Sequence, residues 1–311
     1  MGSLEEKIKE AEQTLRLAAE MSEYYYHKPL IICYSGGKDS DVLLDIAKHC
    51  LKPNEFEVLN AHTTVDAPET VYHIRSVFKA LNELGIKTTI KMPTHKGQPT
   101  SMWKLIELHT MPPTRMVRYC CAELKEASTP KRIAAVGVRE DESAKRKNRG
   151  DFGVLNRNVK KREYRSTQHT YAMFKMDKMG GDNYECEMIK ACKAKKDTIC
   201  NPIYHFTNRD IWSYVETHKV EMNPLYAKGY RRVGCIGCPL GGPKEMYKEF
   251  ADYPKYKENY IKAFNRMIKN RKAKGQSCDT FTSGEAVMAW WLNENPNQVT
   301  FEELLGGQDN D

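Results

Sequence analysis

The feature that most restricts this chain is a short apolar run, Leu30-Ile31-Ile32-Cys33-Tyr34. It passes through Ser35-Gly36-Gly37-Lys38-Asp39-Ser40 into a stretch of helical spacing that keeps Val42, Leu43, Ile46 and Ala47 on one side. An apolar run of that length suits a buried strand. The two glycines let the backbone turn and bring its N–H groups close to an anion. The helix start behind them adds unpaired N–H donors and the positive end of a dipole. Lys38 supplies a full charge and Ser40 a hydroxyl. This is not the Walker loop, which places four residues between its first Gly and the Gly-Lys-Ser/Thr. A plain Gly-Gly turn before a capped helix is the rival, and the preceding strand argues against it.

The alternation continues. Phe56 to Ala61 reads as a second strand, Pro68 to Leu84 as a helix with Pro in its first turn, Lys87 to Met92 as a third strand and Lys131 to Val138 as a fourth. Strands alternating with helices imply an α/β fold: a parallel twisted sheet with helices on both faces. Residues 1–27 are expected to hold an amphipathic helix with Leu4, Ile8, Ala11, Leu15 and Ala18 on one side, ending at Lys28-Pro29. Residues 28–240 would form the nucleotide-binding domain, with a basic, aperiodic insertion at about 141–200, and residues 241–311 a mainly helical C-terminal part. Trp290-Trp291 and the Tyr/Phe-rich run from Tyr247 to Phe264 are expected in that part's core.

Composition narrows the class. With 311 residues, 40% hydrophobic, the chain can bury a full core without disulfides. No apolar run is long enough to span a membrane, and the acidic start, Met1-Gly2-Ser3-Leu4-Glu5-Glu6, does not read as a signal peptide. A soluble, cytoplasmic protein is expected, its oligomeric state left open. The net charge of +8 is concentrated. Lys145, Arg146, Lys147, Arg149, Arg157, Lys160, Lys161, Arg162 and Arg165 face only Asp151 and Glu163 between Lys145 and Arg165, a local +7. A nucleic acid, a small anionic substrate or a solvated loop would each account for it.

Ten cysteines are many for a reducing compartment, where a disulfide framework is not expected. Cys120-Cys121 and Cys235-Ile236-Gly237-Cys238 have the spacing of ligands, and four thiolates suit either a 4Fe-4S cluster or a closed zinc site. Spacing alone does not separate them. Cys186, Cys192 and Cys200 read as incidental loop thiols more readily than as sulfur carriers, and Cys33 and Cys50 as core residues.

Ser35 to Ser40 after a strand resembles the loop of the PP-loop ATP pyrophosphatase superfamily, which cleaves ATP between its α and β phosphates. Three further segments resemble the phosphoadenosine-phosphosulfate reductase-like branch of that superfamily. They are Thr63-Thr64-Val65-Asp66-Ala67-Pro68-Glu69-Thr70; Gly137-Val138-Arg139 with Glu142, Ser143 and Arg146; and Asn223-Pro224-Leu225-Tyr226 leading to Cys235 and Cys238. Together they run in order from about residue 30 to 240. The resemblance implies an adenine nucleotide α-hydrolase-like fold, ATP with Mg2+ as ligand, and a preference for the iron–sulfur cluster over zinc at Cys120, Cys121, Cys235 and Cys238. It places the leaving pyrophosphate on Lys38 and the loop amides of Gly36 and Gly37. Ser35 and Ser40 would bond phosphate oxygens, and Asp39 would orient magnesium. Arg139 would meet the α-phosphate or the acceptor, and His62 and Thr64 would line the adenine pocket.

Two departures favour ATP over a sulfonucleotide. The loop keeps both glycines and Lys38, where the branch's reductases usually have a degenerate loop. The chain also lacks the reductases' C-terminal Glu-Cys-Gly-Leu-His tail, ending instead in Gly306-Gly307-Gln308-Asp309-Asn310-Asp311. The expected function is therefore ATP-dependent adenylation of an acceptor coupled to sulfur transfer, as in the DNA phosphorothioation and tRNA-thiolase members, with a donor such as a cysteine desulfurase. The alternatives are a thioredoxin-linked sulfonucleotide reductase and a nucleic-acid-binding component with a vestigial ATP site.

Overall fold

The computed structural model describes residues 2–126, 132–143, 146–156, 161–180, 198–279 and 281–292. Among them no helix is long and apolar enough to cross a membrane. The chain forms two compact units that interleave along the sequence. The first holds Met1–Ala61, Pro68–Lys91 and Ser128–Val233; the second holds His62–Ala67, Met92–Ala127 and Gly234–Asp311.

The first unit is the α/β layer. Strands β1 (Leu30–Cys33), β2 (Phe56–Ala61), β3 (Thr88–Lys91), β6 (Ala134–Ala135) and β9 (Ile199–Cys200) pair in parallel, in the order β3-β2-β1-β6-β9. An antiparallel pair, β7 (Phe152–Asn156) and β8 (Lys161–Arg165), extends the sheet beyond β9. Leu30, Ile31 and Ile32 of β1 are at most 1% exposed, so the strand is buried on both faces, each burial stabilising by on the order of 2 kcal/mol.

Helices cover the sheet. α1 (Leu4–Tyr26) opens with a capping box in which Ser3 and Glu6 satisfy each other's backbone N–H. Its buried Leu15, Ala18 and Met21 join Leu43 and Ile46 of α2 (Lys38–Cys50) and Phe174 of α6 (Thr167–Lys178) in one apolar core. α3 (Pro68–Glu83) and α7 (Asn208–His218) complete this unit.

Two expectations are corrected here. The fourth strand is two residues long, Ala134–Ala135, where the apolar run from Lys131 to Val138 suggested eight. The stretch from 141 to 200 is also less irregular than its polarity implied. Its described residues include β7, β8 and α6, and β8 is the last strand of the sheet among the described residues.

The second unit is mainly helical: α4 (Met102–His109), α5 (Tyr119–Leu124), α8 (Pro243–Asp252), α9 (Pro254–Ala273) and α10 (Gly284–Trp291), with a small hairpin of β4 (Thr94–His95) and β5 (Gln98–Pro99). Its core is aromatic. Tyr260 packs edge-on to Trp103 at 4.7 Å and lies 4.9 Å from Trp291, whose Nε1 donates to the Pro113 carbonyl at 2.6 Å. Trp290 and Trp291 are each 6% exposed, as the core reading expected.

Candidate nucleotide loop and cysteine group

Strand order locates the first site. The chain steps outward from β1 to β2 and β3 on one side and to β6 and β9 on the other, so the order reverses between β1 and β6. In open α/β sheets the crevice beyond the carboxyl ends of strands at such a reversal is where ligands bind. The segment that leaves β1 is Tyr34 to Lys38, and the one that leaves β6 carries Gly137 and Arg139.

The loop is held by Ser40. Its hydroxyl accepts the N–H groups of Ser35 and Gly37, each at 3.2 Å, and donates to the Gly37 carbonyl at 2.8 Å. Gly36 sits at φ +71°, which favours glycine, and a Cβ there would come within 3.0 Å of Ile74. Gly37 caps α2, leaving Lys38 at its first position. The Lys38 N–H, one of the donors a helix start leaves without an internal partner, goes to Tyr226 Oη at 2.8 Å.

Asp39 lies between two cations. Lys38 Nζ is 3.2 Å from Oδ2, and Arg139 Nε is 2.7 Å from Oδ1. Arg139 is 3% exposed, and its Nη1 also donates to the Phe206 carbonyl at 3.3 Å and lies 3.6 Å from Asp141. It is therefore no strand-end surface charge. The backbone of Gly137 packs against Asp39 so closely that a Cβ would lie 3.2 Å from the Asp39 carbonyl. Ser35, Gly36, Gly37, Lys38, Asp39, Ser40 and Arg139 thus gather in the first unit. The hydroxyl of Ser40 and both oxygens of Asp39 are already engaged within it.

Residues that the spacing did not flag support this loop. Asn223, 1% exposed, donates from Nδ2 to the Gly36 carbonyl at 2.9 Å and to Thr70 Oγ1 at 3.1 Å. Its motif was visible in sequence, but as a lead-in to the cysteines. Under the loop, Tyr34 Oη donates to Asp41 Oδ1 at 2.5 Å, and His73 Nε2 lies 3.0 Å from Tyr34 Oη and 3.3 Å from Asp41 Oδ1. Burial pushes the Asp41 carboxyl and the Tyr34 phenol up. No local pattern signals this trio.

The second unit holds His62, Thr64 and the cysteines. His62 Nδ1 is 3.3 Å from Asp66 Oδ2, and Thr64, at φ +68°, accepts the Met102 N–H that opens α4 at 3.0 Å. Cys235 is pinned by backbone: Ile236 N–H donates to the Val65 carbonyl at 2.8 Å, and Cys235 bridges Asp66. Its sulfur lies 3.4 Å from Thr63 Oγ1. The turn to Cys238 depends on Gly237, at φ +72°, where a Cβ would lie 2.6 Å from Phe250. Tyr260 Oη donates to the Ile236 carbonyl at 2.9 Å.

Cys120 and Cys121 stand on α5. The neighbouring Cys120 thiol and Arg118, whose Nη2 is 3.4 Å from the Cys121 sulfur, hold the Cys121 thiol below its ordinary pKa. In turn Cys121, then burial and the charges of Cys235 and Cys238, push the Cys120 thiol up. Burial raises Cys235 to about 11, and Cys235, then Asp66 and Cys238, keep the Lys125 ammonium protonated. Among the described residues no three or more His, Cys, Asp or Glu are placed to hold a single metal ion.

The remaining cysteines divide. Cys200 is fully buried in β9, so the loop-thiol reading fails for it; Cys50 is buried as expected and Cys33 half-buried. Cys186 and Cys192 lie outside the described residues. Where it is described, the basic stretch has partners: Arg146 pairs with Glu142, Arg165 with Glu163 at 3.2 Å, and Arg149 lies over the Tyr164 ring.

Comparison with known proteins gives the family. A Methanocaldococcus jannaschii protein of uncharacterised role is 26% identical over 242 residues, 75% of this chain and 41% of that protein, so this chain spans about two fifths of that relative. The adenosine 5'-phosphosulfate reductase of Anoxybacillus flavithermus is 25% identical over 219 residues, covering 69% of this chain and 74% of that enzyme. The solved U34-tRNA thiolase of Methanococcus maripaludis with its 4Fe-4S cluster aligns over 90% of this chain and 84% of its own at 15% identity, with a TM-score of 0.43. The model of the phosphoadenosine phosphosulfate reductase domain matches residues 29–241, and the chain belongs to that family.

Proposed function

We propose that this chain binds ATP with magnesium and cleaves it between the α and β phosphates to adenylate an acceptor, as the first half of a sulfur transfer. The observation that carries the reading is the intact loop after β1, with Lys38 charged at its rim and loop N–H groups turned toward oxygen atoms. Those are the donors a departing pyrophosphate needs. An acceptor oxygen bonds to the α-phosphorus, the bridge to the β-phosphate breaks, and pyrophosphate leaves with the electron pair toward Lys38. A sulfur nucleophile then displaces AMP from the activated position. The Asp39–Arg139 pair steadies Lys38, and magnesium would compete with Lys38 for Asp39 Oδ2.

Cys120, Cys121, Cys235 and Cys238 would be the ligands of an iron–sulfur group, a reading that rests on their paired spacing, with Arg118 Nη2 3.4 Å from the Cys121 sulfur and Thr63 Oγ1 3.4 Å from that of Cys235. When bound, a 4Fe-4S cluster would supply a structural anchor or a sulfur-binding position. A nucleic acid as acceptor rests on the basic stretch between Lys145 and Arg165, and a cysteine desulfurase is the class of sulfur donor expected.

Sulfonucleotide reduction is the second reading, favoured by the similarity to the Anoxybacillus reductase. The two separate in one assay. Adenylation predicts acceptor-dependent pyrophosphate release that Lys38→Ala abolishes; reduction predicts sulfite release from adenylyl sulfate with thioredoxin. Protein purified without oxygen should be brown, absorbing near about 400 nm, if the sulfurs hold a cluster, and colourless with zinc.

A further inference from the structure

We propose that Tyr226 is a displaceable cap on the nucleotide loop, its hydroxyl standing where a pyrophosphate oxygen would bind the Lys38 amide. The inference rests on the ATP reading above and adds to it the residue that a phosphate chain must dislodge.

The Lys38 N–H donates to the Tyr226 hydroxyl at 2.8 Å. That amide belongs to the first residue of α2, where a helix start otherwise leaves its donors to an anion. Burial nevertheless keeps Tyr226 a neutral phenol. A neutral hydroxyl is a weaker acceptor than a charged phosphate oxygen, whose hydrogen bonds are roughly twice as strong, so pyrophosphate should win the contest.

The surroundings let the hydroxyl yield while the loop stays in place. Asn223 anchors the Gly36 carbonyl and Thr70, and its own carbonyl accepts the Tyr226 N–H at 3.1 Å. The Tyr226 ring meets Trp212 edge-on at 5.5 Å, a contact that Phe would keep. Tyr226 is only half-buried, so its ring can swing outward.

The test is titration calorimetry of the full chain with inorganic pyrophosphate and, separately, AMP, for wild type and Tyr226→Phe. The variant should bind pyrophosphate roughly 2- to 10-fold more tightly, because one competing hydrogen bond is gone, and AMP with unchanged affinity. Hydrogen exchange on wild type gives a readout independent of the variant: pyrophosphate should slow exchange over Ser35–Ser40 and speed it over Gly229–Val233. Equal or weaker pyrophosphate binding by the variant, or unchanged exchange over Gly229–Val233, overturns the cap. If wild type and Tyr226→Phe both fail to bind pyrophosphate and ATP, the ATP reading itself fails, and the cap with it.

Discussion

Arg139 and Asp39, a hundred residues apart in sequence, meet at 2.7 Å in the first unit, and the same carboxylate reaches Lys38. The pair joins the segment leaving β6 to the start of α2. Its arginine side chain is 4% exposed, so removing one partner leaves charge with little water to compensate it. Arg139→Gln should cost about 3 kcal/mol in urea unfolding, and Arg139→Lys should not restore the lost stability, because a single ammonium cannot serve Asp39, Asp141 and the Phe206 carbonyl together.

Ser40 offers a sharper separation of folding from binding. Ser40→Ala removes the acceptor of two loop amides and should lower stability by about 1–2 kcal/mol without ligand. If phosphate oxygens can take over those amides, saturating pyrophosphate should raise the melting temperature of the variant more than that of wild type.

Gly237 tests the cysteine group. Gly237→Ala places a methyl 2.6 Å from Phe250 at φ +72°. The expected cost is about 2–4 kcal/mol, with iron content after anaerobic reconstitution falling to less than half of wild type. Full iron loading of the variant would remove Cys235–Cys238 from the ligand set.

His205 sets a pH dependence near the Arg139 turn. Hydrogen bonding to Asp151 raises the His205 pKa; burial would raise Asp151, but His205 and Thr167 outweigh it and hold that carboxyl low. The raised histidine stabilises the fold fully below its ordinary value, and this is lost as pH rises through its folded pKa. The lowered Asp151 stabilises above its ordinary value and loses this in acid. His205→Gln should therefore lose stability mainly between about pH 4 and 6.5 and little at pH 8.5, as read from melting temperatures across that range.

The fold was legible where structure is local. The apolar run of β1, the glycine turn and the 3.6-residue period of α2 all lie between Leu30 and Cys50, and their chemistry can be read without a partner. β6 was overextended because an apolar run does not mark where ladder pairing stops, and one of its partners, β9, lies some 65 positions away. β8 was missed because Lys161-Arg162-Glu163-Tyr164-Arg165 is polar on both faces, as an edge strand can be. In the site, residue types at Lys38, Asp39 and Arg139 were visible, but their mutual engagement was not. Nor could spacing show that Asn223 and Tyr226, more than 180 positions from the loop, would bond to its backbone.

The most direct test of the ATP reading is calorimetric titration of the full chain with ATP and magnesium, beside adenylyl sulfate, for wild type and Lys38→Ala. Wild type should bind ATP at micromolar or tighter affinity and prefer it to adenylyl sulfate, and Lys38→Ala should weaken ATP roughly 100-fold, the loss of one charge-assisted contact. Tight adenylyl sulfate binding with no detectable ATP binding by wild type would contradict the account.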